Sequence, residues 1–163
     1  MANSVFGYLY GAGLKTMSKQ LGAHGDKAQA VVDALKAITP QLIDYDRGLR
    51  RAVETGALPA WQHPSGRTAW FNADQPHKSL NMIVQGYGRE LLVDAIERWE
   101  SIHPGCTIAP IHDELVIQVP EADAAQWADD LGACMTTTIG TGAAQVPIVA
   151  EVDPPTRRWG ASE

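Results

Sequence analysis

The sequence predicts an α+β fold with long helices and a few short strands. Amphipathic patterns of helical period extend over 26–38, 40–54 and about 75–101, with apolar residues on one face of each. Two short β-branched runs, Ile108 to Ile111 and Leu115 to Val119, flank a polar triplet and indicate a β-hairpin. Helices and strands that occupy separate segments of a chain are typical of α+β domains.

The composition indicates a globular protein without a membrane span. The 163 residues suffice for a hydrophobic core, and contents of 45% hydrophobic and 20% charged residues are ordinary. No apolar run approaches the length of about 18 residues that a transmembrane helix needs. No basic-then-apolar signal begins the sequence, so we expect a cytoplasmic protein with no membrane partner. Cys106 and Cys134 lack metal-type spacing and are expected to be buried thiols.

Charge is distributed unevenly along the chain, whose formal net charge is −6. Residues 1–89 contain ten Lys and Arg and six Asp and Glu, a balance of +4. Residues 90–163 contain three Lys and Arg and thirteen Asp and Glu, a balance of −10. This asymmetry suits a basic half that meets phosphates and an acidic half that meets metal or solvent. Chance clustering on solvated faces explains it equally well.

The first helix is predicted over 3–21, with an interruption near Gly11 and Gly13. Phe6 and Tyr10 are four residues apart and therefore share one helical face. Taken alone, this pair fits an ordinary core face.

The second and third helices follow at 26–38 and 40–54. Three arginines lie close together on the third helix: Arg47, Arg50 and Arg51. Such a cluster is suited to phosphates. It also fits a solvated face on which the arginines pair with Asp44 and Asp46, and the sequence leaves both possibilities open.

A small exposed hairpin is predicted between Gly56 and Asn72, with a tight turn at Ser65-Gly66-Arg67. The long helix then extends from about Gln75 to Ser101. Polar residues recur along one of its faces, at i, i+4 and i+8: Asn81, Gln85 and Arg89. A polar stripe usually faces solvent, but Asn and Gln each offer a donor and an acceptor suited to base edges or sugars.

The polar triplet His112-Asp113-Glu114 lies at the predicted turn of the second hairpin. Neighbouring carboxylates repel each other, and a divalent cation removes this repulsion because hard cations take carboxylate oxygens as ligands. Adjacent strand residues point to opposite faces, so we expect Asp113 and Glu114 to have different roles. Without further support, the triplet also fits a solvated turn. A helix from Glu121 to about Thr138 is predicted next, and a strand at 146–152 is expected to complete one small antiparallel sheet with the hairpin.

Three of these segments together resemble the C-terminal part of family A DNA polymerases, the bacterial and phage polymerase I type. The helix Asn3 to Gly13 resembles motif B, the fingers helix that closes over the incoming nucleotide. The pattern Asn81-x-x-x-Gln85-Gly86 resembles the palm helix at the primer–template minor groove, and Ile111-His-Asp-Glu-Leu-Val resembles motif C. On this resemblance, 1–73 is a fingers-like helical segment with a small hairpin, and 74–163 is a palm-like segment.

The resemblance implies catalytic roles at the triplet, in nucleotidyl transfer from a dNTP to a primer 3′-hydroxyl. Asp113 matches the motif C aspartate that binds catalytic Mg²⁺ in a two-metal mechanism. Glu114 matches its less essential neighbour, and His112 matches the residue near the primer end.

The resemblance also implies binding roles elsewhere. Phe6 and Tyr10 match nucleotide-binding positions of the fingers helix. A second set of residues is implied to bind primer–template DNA: Asn81, Gln85, His77, Arg67 and Arg89. The implied location is the cytoplasm of a bacterial or phage-infected cell.

The sequence departs from the family in its charged residues. The family's fingers helix carries a Lys at the position of Ala2, or just before Met1 if the register slips by two residues near Ser4 and Val5, and its Arg position lies before Met1. His77 stands where the family usually has Arg. Motif A, with the other metal-binding aspartate, has no counterpart, since Asp44-Tyr-Asp46 lies in a helical pattern after motif B. One aspartate cannot organise two Mg²⁺ ions. We therefore expect a split polymerase that needs a second fragment carrying motif A and has little or no activity alone.

Two alternatives belong to other functional classes. The first is a non-catalytic module, derived from a polymerase, that binds DNA or a replication partner. The second is a metal-dependent hydrolase that uses Asp113, Glu114 and His112 together with a further ligand, for which His63 and His77 are the candidates.

Overall fold

The computed structural model describes residues 14–22 and 26–158. Its helices are α1 (Leu14–Leu21), α2 (Asp26–Ile38), α3 (Pro40–Glu54), α4 (Ser79–Ile102) and α5 (Ala124–Met135). Its strands are β1 (Ala60–Gln62), β2 (Thr68–Trp70), β3 (Thr107–Ile111), β4 (Glu114–Ile117), β5 (Thr137–Ile139) and β6 (Val146–Ile148). Short 3-10 turns occur at Pro76–Lys78, Glu121–Asp123 and Gly142–Ala144. The described residues divide into two compact units, within Met1–Tyr87 and within Gly88–Glu163.

The α+β prediction is confirmed. Helices α2 and α3 have the predicted bounds, and Pro40 begins α3 because its fixed φ and missing N–H suit the first turn of a helix. The strands form three antiparallel pairs, β1–β2, β3–β4 and β5–β6. No helix in the described part of the chain is long and apolar enough to cross a bilayer.

The first unit has two small apolar clusters among its described residues. Met17 of α1 packs with Val32 and Leu35 of α2. The second cluster joins α3 to the start of α4 and consists of Leu49, Val53 and Leu80, with partly buried residues such as Phe71 around them. The second cluster therefore anchors the N-terminal turns of α4, which carry Asn81, within this unit.

The second unit is built around Trp99, which is fully buried. Leu115 from β4 and Leu131 and Cys134 from α5 complete the cluster. Burial raises the pKa of the Cys134 thiol, as expected for a buried cysteine. The cluster packs the C-terminal half of α4, the second hairpin and α5 together.

The C-terminal strand does not join the second hairpin, and this part of the predicted sheet is wrong. β6 pairs with β5, in the register Thr137↔Ile148 and Ile139↔Val146. The predicted helix from Glu121 to about Thr138 ends at Met135, and the β-branched residues that follow form β5. Because only a short segment separates β5 from β6, their pairing closes a small loop at low entropic cost.

Candidate functional site

The tip of the second hairpin is a two-residue turn formed by His112 and Asp113. Ile111 and Glu114 pair across the hairpin, so Glu114 is the first residue of β4 rather than part of the turn. His112, Asp113 and Glu114 are all exposed. Pro110 lies in β3 opposite Leu115, in a pair of strands that has no further neighbour among the described residues, where a missing N–H is tolerated.

His112 adopts a left-handed backbone conformation, with φ of 56°. It is the single non-glycine residue with positive φ in the described part of the chain. A side chain at such a φ is disfavoured by about 1–2 kcal/mol, although His, Asn and Asp tolerate it better than most residues. Conformations of this kind are concentrated at functional sites, where the surrounding structure holds them. The turn therefore holds Asp113 next to a strained residue.

The base of the second hairpin is tied to α4 by the carboxylate of Glu100. Gly105 N donates a hydrogen bond to Glu100 Oε2 over 2.7 Å, and Thr107 N donates to Oε1 over 3.3 Å. The Thr107 hydroxyl also donates to Oε1. These donors, with the Thr107 hydroxyl foremost, hold the pKa of Glu100 below its usual value. The start of β3, the strand that leads to His112, is thus fixed to the last turns of the helix.

The two carboxylates near the tip offer the oxygen atoms that Mg²⁺ prefers. However, the described residues contain no group of three His, Cys, Asp or Glu side chains placed to hold a metal ion. Asp113 and Glu114 are therefore suited to part of a metal site and do not form a complete one within 14–22 and 26–158.

The polar stripe of α4 begins with the exposed His77 in the 3-10 turn before the helix and continues through Asn81 and Gln85. Asn81 is half-buried, and its Oδ1 is buried without a hydrogen-bond partner in the described residues. Gln85 is exposed. Arg89, in the second unit, is mostly exposed and lies 3.9 Å from the buried Glu90 carboxylate. His77, Gln85 and Arg89 are therefore accessible to a ligand, whereas Asn81 is only partly accessible.

The first hairpin brings another implied DNA-binding residue to this part of α4. Arg67 Nη2 donates a hydrogen bond to the Gly86 carbonyl oxygen over 3.0 Å. Gly86 directly follows Gln85. The hairpin turn lies at His63 to Gly66, where Gly66 N donates to His63 O over 2.8 Å and Gly66 has φ of 93°. The predicted turn at 65–67 therefore overlaps the observed one at Ser65 and Gly66.

Two of the sequence alternatives are less well supported by the structure. Asp44 and Asp46 lie 3.0 Å from Arg47 and 2.6 Å from Arg50, respectively. This favours paired arginines over a phosphate site, with the Arg47–Asp44 pair exposed and the Arg50–Asp46 pair partly buried. His63, a candidate ligand of the hydrolase hypothesis, is buried and accepts a hydrogen bond at Nδ1 from Ser65 N.

Phe6 and Tyr10, the implied nucleotide-binding residues, lie outside the described residues.

Comparisons with known proteins agree with the resemblance. The family model for DNA polymerase family A matches residues 2–161. The chain belongs to DNA polymerase family A. Among its relatives, the DNA polymerase of Mycobacterium phage D29 is 28% identical over 160 residues, which cover 96% of this chain and 25% of that protein. DNA polymerase I of Pseudomonas aeruginosa is 26% identical over 162 residues, covering 90% of this chain and 17% of that protein.

A solved structure shares the fold of this family A chain. The POL domain of Pol1 from M. smegmatis, in complex with DNA primer-template and dNTP, matches it with a TM-score of 0.66 and 16% identity. The match covers 80% of this chain and 25% of that one. The chain therefore spans about a quarter of the length of the phage relative and of this structural neighbour.

Sequence reasoning missed two features of this family A chain. Glu100 was not singled out, because its partners Gly105 and Thr107 become visible only when the turn after α4 is built. The contact of Arg67 with Gly86 was missed too. The sequence carried one sign of this contact, because a glycine inside a helical pattern, here Gly86, usually has a packing or functional reason.

Proposed function

We propose that this chain supplies the fingers and part of the palm of a template-directed DNA polymerase. The polymerase would transfer a nucleotide from a dNTP to a primer 3′-hydroxyl. The observation that carries the proposal is the motif C aspartate, Asp113, at the strained tip of a hairpin, in a chain that matches the family model over 2–161. The location we propose is the cytoplasm of a bacterial or phage-infected cell.

Asp113 is proposed to bind catalytic Mg²⁺, with Glu114 and His112 beside it. Two Mg²⁺ ions supply activation of the attacking hydroxyl and stabilisation of the leaving pyrophosphate in sites of this class. The carboxylate of Asp113 is exposed and fits one such ion, while the core around Trp99 and the Glu100 hydrogen bonds keep its hairpin in place. A rigid support is what a site with demanding geometry requires.

The polar stripe of α4 is proposed to bind the minor groove of the primer–template. The minor groove presents acceptors shared by all correct pairs, and the amides of Asn81 and Gln85 can donate to them. His77 and Arg89 extend this set, and Arg67 lies beside it through its hydrogen bond to Gly86 O. The M. smegmatis structure contains primer-template and dNTP, which supports the same ligands here, with Phe6 and Tyr10 at the nucleotide.

Activity is proposed to require polypeptide that carries motif A, either as a second fragment or as part of a longer chain. The physical reason is the number of carboxylate ligands, because a single aspartate fills few of the coordination positions around two Mg²⁺ ions. The relatives are about four to six times longer than the matched segment, so they have room for such residues.

Reconstitution of primer extension tests the proposal. The chain is mixed with an upstream polymerase fragment that contains motif A, and incorporation into a labelled primer–template is followed with Mg²⁺. We expect extension with the mixture and little or none with either part alone. Asp113→Ala should lower the rate roughly a thousandfold, because a catalytic metal contributes several kcal/mol and about 1.4 kcal/mol corresponds to tenfold. Asp129→Ala, an exposed aspartate of α5, is the matched control.

Extension that survives Asp113→Ala contradicts the assignment of the metal ligand. A mixture that binds the primer–template but never extends it favours the non-catalytic binding module. Metal-dependent cleavage of DNA by the isolated chain favours the hydrolase.

A further inference from the structure

The first hairpin reaches α4 at the residue after Gln85. Arg67 and Gly86 are 19 positions apart in sequence, and the bond from Arg67 Nη2 to Gly86 O is the contact that joins them. Arg67 is half-buried. The acceptor is a backbone carbonyl of the helix itself, so the position of the guanidinium is coupled to the position of that helical turn.

Gly86 leaves just enough room for this contact. A Cβ at Gly86 would lie 2.7 Å from Arg67 Nη2 and 3.3 Å from Trp61 Cζ3. At Gly88, two residues later in the same helix, a Cβ would meet nothing within 4 Å. The close approach is therefore specific to one turn of the helix.

Three aromatic rings of the first hairpin and α4 pack against one another beside this contact. The ring of His63 lies 4.5 Å from the ring of Tyr87 in an edge-to-face arrangement, and the ring of Trp61 lies 5.6 Å from that of His63. The Trp61 and Tyr87 rings are 6.4 Å apart. Such pairs fix relative orientation as well as burying apolar area. The first hairpin thus contacts α4 at Gly86 and Tyr87, the two residues that follow Gln85.

We propose that Arg67 is a positioning residue that acts on DNA through Gln85, and that it makes no contact of its own with a phosphate. This inference rests on the proposed function, because it assumes that Gln85 binds the minor groove of a primer–template. Arg67 holds the backbone carbonyl at 86, and this sets the direction from which the amide at 85 reaches the groove. It revises the direct DNA-binding role that the resemblance implied for Arg67.

Duplex binding by the full chain tests the inference. The probe is a fluorescent primer–template duplex with a recessed 3′ end, titrated at several salt concentrations. The variants are Arg67→Met, Arg67→Lys, Gln85→Ala and the double variant Arg67→Met/Gln85→Ala. The exposed Lys27, in the first turn of α2, provides a charge-matched control as Lys27→Met. Urea unfolding of each variant confirms that it is folded.

We expect Gln85→Ala and Arg67→Met each to weaken binding about tenfold, the size of one lost hydrogen bond. The double variant should be no weaker than the single ones, because both remove the same interaction. Arg67→Lys should fail to restore affinity, since an ammonium lacks the planar fork of the guanidinium. The slope of log affinity against log salt should stay at the wild-type value.

The other outcomes overturn the inference in separable ways. Additive losses, rescue by Arg67→Lys or a salt slope reduced by about one unit in Arg67→Met indicate a direct phosphate contact. These results leave the proposed function intact. If Gln85→Ala binds the duplex as well as the wild type does, the proposed role of the polar stripe fails and this inference fails with it. If Arg67→Met does not fold, the inference is tested with Arg67→Lys and with the double variant Arg67→Lys/Gln85→Ala in the same way.

Discussion

The first and second hairpins are held in place by different means. The first, β1–β2, has no buried residue in its strands and is fastened by a guanidinium on a helix carbonyl and by edge-to-face rings. The second, β3–β4, inserts Leu115 into the apolar cluster around Trp99 and is fastened by a carboxylate that gathers three donors. An isolated two-stranded hairpin is marginal in water, so each needs such support.

The difference shows what each hairpin tolerates. The first hairpin contacts the helix backbone only because the residue at position 86 is a glycine, so a larger side chain there would disturb the contact. The support of the second hairpin comes from the packing of Leu115 in a cluster, so it is sensitive to the loss of side-chain volume. The turns differ as well: the first hairpin uses Gly66 at φ of 93°, and the second uses His112 at φ of 56°. The second hairpin has the better anchored base and the more strained tip.

The largest expected effect is the loss of apolar support for the second hairpin. Leu115→Ala should lower the free energy of unfolding by about 2–5 kcal/mol, the range for truncating a buried leucine. Ile108→Ala, in the same hairpin but 58% exposed, should change it by less than about 0.5 kcal/mol. Urea denaturation measures both. Equal losses for the two variants would show that the hairpin is not anchored through Leu115.

The next effect tests the close approach of the first hairpin. Gly86→Ala should displace Arg67 and Trp61, and we expect a net destabilisation of about 1–2 kcal/mol after the gain in helix propensity. Gly88→Ala should instead stabilise the protein by up to about 1 kcal/mol, because nothing lies within 4 Å of its Cβ. The opposite signs, read from thermal or urea unfolding, are the test. A stabilising Gly86→Ala contradicts the described packing.

Much of this architecture could be predicted because it is encoded locally. The period of apolar residues predicted the bounds of α2 and α3. β-branched runs around a polar triplet predicted the second hairpin, and the tight turn at Ser65-Gly66-Arg67 predicted the first. Strand pairing is not local in this sense. The sequence predicted a strand over 146–152, of which the structure forms only 146–148, and the pairing of this strand with β5 depended on where α5 ended.

The candidate site was predictable in its residue types and less so in its supports. Asp113 lies at the predicted turn, while Glu114 belongs to β4. Arg67 with Gly86 and Glu100 with Thr107 are contacts between separate elements, which periodicity cannot show. The roles of Asp113, Asn81 and Gln85 in binding metal and DNA stay predictions.

A smaller effect is expected at the two turns, with opposite signs. His112→Gly removes the strain of a side chain at positive φ. It should stabilise the protein by up to about 1 kcal/mol, because the larger conformational entropy of glycine in the unfolded state offsets part of this gain. Gly66→Ala introduces the same strain and should destabilise by about 1 kcal/mol. In the reconstituted polymerase, His112→Gly should also slow extension. If His112→Gly is more stable and extends the primer at the wild-type rate, the strained backbone at His112 is not needed for catalysis.

The smallest effect should come from Glu100, whose carboxylate is accessible to water and screened by it. Its pKa is lower in the folded chain than its ordinary value of about 4.3, chiefly because the Thr107 hydroxyl donates to the ionised form. The unfolded state therefore takes up the proton first as the pH falls, and stability is lost through the folded-state pKa. The difference in unfolding free energy between wild type and Glu100→Gln should be full above about pH 5 and shrink below pH 4.3. The exposed Glu97→Gln is the control on the same helix. A difference independent of pH would mean that the ionised state of the Glu100 carboxylate does not contribute to holding the second hairpin.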